Sequence, residues 1–161
     1  MTTKADFTEE EWIRLGRAPL VAGMAISIAD PGGPLGAIRE TNAALSIVVE
    51  AAQQGTELIR SLAADVVAKA RRRDNPLAGF APKGADAREQ ILDELRAVNA
   101  LLVAKTTPEE VAEFREWVKE AAQRTALAAK EGGFLGIGAE LVSEREQQML
   151  DTLAEIFHDE G

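Results

Sequence analysis

Leu45, Val48, Val49, Ala52, Ile59, Leu62, Ala63, Val66, Val67 and Ala70 recur at three- and four-residue intervals, the repeat of an α-helix that buries one face. The phase survives across Gly55, so the spacing predicts one long helix from about Leu35 to Arg73, with a break at Gly55 as the alternative. At 1.5 Å per residue such a rod would be about 60 Å long. The repeat returns in Ile91, Leu95, Val98 and Leu102, predicting a helix over roughly Ala87 to Ala104. It returns again in Val111, Phe114, Val118, Ala121, Thr125 and Ala128 (Pro108 to about Lys130), and in Met149, Leu150, Leu153 and Phe157 (Glu144 to Phe157). No segment shows the clean alternation of a half-buried strand, so the expected fold is all-α, an antiparallel bundle of about five helices.

Helix starts are marked by capping boxes, in which a side chain accepts from a free backbone N–H and a carboxylate three residues on reaches back. Thr8 with Glu11, Thr107 with Glu110, and Ser143 with Glu146 have this spacing, and Asp86 with Glu89 is a looser version. Pro108 fits the first helical position, where its missing N–H costs nothing. The first helix should run from Thr8 toward Ala29 with a kink or short break near Ala18, because Pro19 removes a hydrogen bond. Asp30-Pro31-Gly32-Gly33 should stop it. Lys69, Arg71, Arg72 and Arg73 precede Asp74-Asn75-Pro76, where cations complement the negative end of a helix dipole. The Pro- and Gly-rich stretch 74–84 reads as a loop joining halves 1–73 and 85–161 of one domain, the number that 161 residues predict. Trp12 and Trp117 lie in apolar stripes and read as core anchors, while Asn99 reads as an edge residue bonded to solvent, with a buried polar residue that fixes helix register as the alternative.

The chain has no Cys, no Tyr and one His, His158, which removes thiol catalysis, disulfides and multi-His metal sites. Glu155 and His158 make a single Glu-x-x-His pair, where a di-iron bundle needs two. Ser27, Ser46, Ser61 and Ser143 have no accompanying base for nucleophilic chemistry. A net charge of −9 repels nucleic acid and anionic membrane surfaces. The uncharged run from Ala18 to Ala29 is too short to span a bilayer and follows an acidic lead rather than a basic one, so the expectation is a cytoplasmic chain without a targeting or transmembrane segment.

Gly32-Gly33-Pro34-Leu35-Gly36 is echoed by Gly132-Gly133-Phe134-Leu135-Gly136, each after a small-residue helix bearing one Glu-Trp pair. Together with Ala29-Asp30 before the first turn and Glu40 after it, the stretch Ala22 to Leu45 resembles the TerB-like family of all-helical bacterial proteins associated with tellurite resistance and stress. The resemblance implies a metal-linked role for Asp30 and Glu40. Read without it, both carboxylates suit capping or solvation, and Asp30 to Glu40 lacks the alternating oxygen ligands of an EF-hand loop. Two functions follow as expectations. The first is a non-enzymatic module for protein contact or self-association, with Phe134, Leu135 and Ile137 serving either as a lid on the core or as an apolar contact patch. The second is a divalent-metal or small-ligand protein using Asp30, Glu40, Glu131 and Glu144 beside the two glycine turns.

Overall fold

The computed structural model describes residues 2–29, 33–131 and 143–158, with side chains described outside 33–40 and 129–131. Within these residues the secondary structure is entirely helical, as the periodicity requires. The α-helices are α1 (Glu9–Ala29), α2 (Gly33–Gln54), α3 (Glu57–Arg71), α4 (Ala87–Lys105), α5 (Pro108–Glu131) and α6 (Glu144–Ile156), with single 3-10 turns at Lys4–Asp6 and Gly84–Asp86.

The fold is organised around α1, which packs against every other helix. Its sequence explains this position. Leu15, Ala18, Leu20, Val21, Ala22, Ala25 and Ile26 are all buried, leaving a helix apolar around most of its circumference, and such a helix is stable only when neighbours cover it on all sides. The uncharged stretch 18–29 is therefore the central rod of the bundle. Pro19 is buried inside α1 and does not end it, so the break expected near Ala18 is absent. The loss of one backbone bond is outweighed by packing on all sides of the helix. One continuous core joins Trp12 and Val21 of α1, Val48 of α2, Leu62 of α3, Leu95 of α4, Phe114 and Val118 of α5 and Leu153 of α6, so the two halves of the sequence share a single interior.

The single helix expected over Leu35 to Arg73 is instead two. α2 ends at Gln54, Thr56 turns extended (φ −66°, ψ 172°), and α3 begins at Glu57. Close approach selects glycine at position 55. A Cβ there would lie 2.7 Å from the Ala51 carbonyl oxygen and 2.9 Å from Ile59 Cγ2. The Arg60 guanidinium donates to the Gly55 carbonyl at 3.0 Å and satisfies the acceptor that the break exposes.

Three capping boxes form as their spacing predicts. Thr8 N–H donates to Glu11 at 2.8 Å, Thr107 N–H to Glu110 at 3.0 Å, and the Glu146 N–H to Ser143 Oγ at 3.2 Å. Asp86 makes no side-chain cap. A 3-10 turn holds it at ψ 5°, and Glu89 pairs with Arg88 instead. The basic cluster ends α3 as expected. Asp74 N–H donates to the Lys69 carbonyl and Arg73 N–H to the Ala70 carbonyl, the paired closure of a Schellman motif. This motif forces Arg73 to φ 60°, a conformation in which glycine is free of the Cβ penalty. Arg73→Gly is accordingly expected to stabilise the fold by about 1 kcal/mol, read as a rise in the urea midpoint. No change, or a fall, would show that the arginine side chain has a compensating contact.

Candidate interaction groove

Where α2 breaks into α3, the chain end of one helix and the start of the next leave an open groove against α5. Its volume is about 640 Å³. Ile47, Ala51, Ile59 and Trp117 supply its apolar lining, Gln54, Gly55 and Thr56 close one end, and Glu50, Glu113, Glu116, Glu120 and Arg124 line its edges. Helical spacing explains the acidic edge, because Glu113, Glu116 and Glu120 are three and four residues apart and share one face of α5 with Trp117.

The ion pairs along this edge are unequal. Arg124 clasps Glu50 through two bonds of 2.8 and 2.9 Å and also reaches Glu120 at 3.2 Å, tying α2 to α5. The hydrogen bond from Arg124 holds the Glu50 carboxyl below its ordinary range against a smaller opposing effect of burial, and the same bond raises the Arg124 guanidinium. Glu116 pairs with Lys119 one turn along. Glu113, half-buried, has no ion pair or hydrogen bond among the described residues. Trp117 is 6% exposed and packs edge-on against Phe114 at 5.6 Å, yet its buried Nε1 donor has no acceptor among the described residues. Trp12 shows the usual arrangement, its Nε1 donating to Asp65 at 2.8 Å.

The lowered Glu50 carboxyl has a consequence in acid. A folded-state value below the unfolded one adds stability that is complete above the unfolded value, near 4.5, and is lost as pH falls through the folded value. Glu11, bonded by Lys105 and Thr8, acts in the same direction. The urea midpoint is therefore expected to drop between pH 5 and pH 3. In Glu50→Gln it should start lower at pH 7 and drop less over that interval; an identical drop would remove Glu50 from the acid response.

Two smaller concavities flank α1. One, about 270 Å³, lies between α1 and α3 and brings Lys4, Lys69 and Arg72 near Asp65. Burial pushes the Asp65 carboxyl up, but bonds from Lys4 and Trp12 and the charges of Lys4 and Lys69 together hold it below its ordinary value. The other, about 280 Å³, is apolar and lined by Leu20, Met24, Ala44, Leu45 and Leu77.

The residues singled out from the sequence fall mostly elsewhere. Asp30, Phe134, Leu135 and Ile137 lie outside the described residues, as do the side chains of Glu40 and Glu131, whose backbones belong to α2 and α5. Glu144 is exposed at the first position of α6. No group of three or more metal-ligating side chains occurs among the described residues. Trp12 and Trp117 are core anchors as expected, at 4% and 6% exposure. Asn99 is an edge residue that accepts from buried Arg115 at 3.1 Å rather than bonding only to solvent. His158 is exposed beyond the end of α6. Sequence reasoning passed over Glu113, Glu116 and Glu120, whose spacing beside Trp117 is also that of an ordinary solvated helix face. No helix among the described residues is long and apolar enough to cross a membrane. No protein-family model, curated protein or solved structure matches the chain.

Proposed function

We propose that the chain is a non-enzymatic helical module for protein–protein contact, with the groove between α2, α3 and α5 as its contact surface. The observation that carries this reading is an open groove whose floor is formed by the edges of the core residues Ile47, Ala51, Ile59 and Trp117, bordered by carboxylates. An apolar centre inside a polar border is the anatomy of a protein interface. The TerB-like resemblance adds a bacterial stress-response setting to the proposal, and the acidic lead before the short uncharged run adds a cytoplasmic one.

Site-specific photo-crosslinking tests it. A benzophenone side chain at Ala112 or Gln54, both exposed on the groove, is expected to form a protein adduct in cells, while one at exposed Gln148 on α6 is not. Equal adduct yields at all three positions, or none in the groove, would refute the reading.

A further inference from the structure

We propose that the C-terminal end of α3 is a second contact surface, whose occupant is an acidic segment of a partner protein. The Asp or Glu carboxylates of that segment meet Lys69, Arg71, Arg72 and Arg73. This surface lies about 20 Å along α3 from the groove, at 1.5 Å per residue, and does not depend on it. Two observations define it. The first is unspent positive charge in a chain of net charge −9. Lys4, Arg14, Arg17, Lys105, Lys119 and Arg124 all hold ion pairs. The side chains of Arg71 and Arg73 are exposed, with no ion pair or hydrogen bond among the described residues. Half-buried Lys69 has none either, although it feels the charge of Asp65. Arg72 meets Asp74 at 3.3 Å with both largely exposed, a pairing that exchanges at little cost.

The second observation is that Arg73 stands where folding alone favours another residue. It lies beyond the last turn of α3, where the pull of the helix dipole has faded. Its φ of 60° burdens any side chain that has a Cβ. A cation held in that conformation without a contact inside the chain is explained by a contact outside it. Short reach then selects the occupant. The cations span about one helical turn, with Asp65 one turn before Lys69 and Asp74 directly after Arg73. A short run of carboxylates matches that span. A nucleic acid carries its phosphates on past it and would press them against those acids. Among the described residues no exposed aromatic ring offers its bases a stacking platform. A second copy brings its own −9 and is repelled. A partner of lower net charge escapes that repulsion, and screening over about 10 Å in 0.1 M salt leaves the local cations in control at contact.

Backbone amide resonances of the intact chain provide the readout. Titration with hexaglutamate in low salt (about 0.02 M) is expected to move the amides of Arg71, Arg72, Arg73 and Asp74 saturably, and high salt (about 0.5 M) to suppress the shift. Arg73→Gly should bind about two- to threefold more weakly although it unfolds at a higher urea concentration, a separation that a purely structural arginine would not produce. The double variant Arg71→Gln/Arg73→Gly should bind about three- to tenfold more weakly. The charge-matched double variant Arg88→Gln/Arg96→Gln, on exposed positions of α4, should bind as the wild type does. Hexalysine should leave these amides unmoved. The proposal is overturned if hexaglutamate fails to move them or if both double variants weaken binding equally. It is also overturned if an oligothymidylate of about twelve nucleotides binds more tightly than hexaglutamate at the same salt, or if the amides move with protein concentration alone, which would give the surface to a second copy. Crosslinks at Ala112 without a hexaglutamate response would remove this surface and keep the groove; a hexaglutamate response without those crosslinks would do the reverse.

Discussion

An Arg17→Met chain is expected to unfold with about 3–5 kcal/mol less free energy than the wild type, the range for stripping one partner from a buried ion pair. Arg17 is 8% exposed within the apolar run of α1. Its Nη2 donates to Glu94 of α4 at 3.0 Å and its Nη1 to the carbonyl of Ala78 at 3.2 Å. The guanidinium also lies 5.4 Å from the Phe80 ring centroid. One side chain thus joins α1, α4 and the 74–84 loop. Methionine keeps much of the apolar stem but leaves the Glu94 carboxylate, 9% exposed, with Arg14 at 3.1 Å as its one remaining ion pair among the described residues. It also releases the Ala78 carbonyl and the Phe80 contact. Arg14 is 42% exposed and screened by water, which sets the expectation toward the lower end of the range. Urea denaturation gives the number, and faster proteolysis within 74–84 gives its location. The double variant Arg17→Met/Glu94→Leu removes both charges and should recover most of the loss, since an apolar pair of similar volume replaces a buried ion pair at little cost. A single-variant loss under about 1 kcal/mol would mean that the pair is solvated in solution.

Phe114→Ala is expected to cost a further about 3–5 kcal/mol, here through a cavity rather than a charge. Phe114 is fully buried in the second turn of α5 and meets Trp117 edge to face. Truncation removes a whole ring from a close-packed interior that refills the space only in part. Against a total stability of about 5–15 kcal/mol for a domain of this kind, the loss brings the chain near its folding limit. Phe114→Leu, which retains most of the volume, should cost roughly 1–2 kcal/mol and stay folded. That milder variant also bears on the groove. With its edge partner changed, the Trp117 indole resonance should shift, while that of Trp12 stays fixed. A Phe114→Ala loss below about 1 kcal/mol would show that α5 packs elsewhere than against this core.

Helix limits were legible wherever local chemistry repeats. Thr8 with Glu11, Thr107 with Glu110 and Ser143 with Glu146 marked three starts, because a capping box needs only residues within one turn of each other. The Gly55 break escaped because the apolar spacing keeps its phase across it. The informative signs there were Thr56 and Glu57, an N-cap residue followed by an acid in the first turn. Asp86 failed in the opposite direction. Its spacing to Glu89 is right, but the 3-10 turn preceding α4 holds its backbone out of the capping conformation. The candidate site was far less legible. Glu113, Glu116 and Glu120 look like any solvated helix face until the bend between α2 and α3 sets an apolar wall opposite them.

Taken alone, the sequence determined that the chain would be helical and that Trp12 and Trp117 would be inside, because periodicity and capping are read within a few residues of chain. It misplaced the buried face of α2, where Ala44, Ile47, Val48 and Ala51 are buried and Val49 is exposed. Tertiary structure decided which helix lies at the centre, where the longest apolar run divides, and which charges meet. Arg17 and Glu94 are 77 residues apart, and Glu50 and Arg124 are 74 apart. Such pairs come together only when several helices pack at once, since no local pattern encodes a neighbour that arrives from another part of the chain.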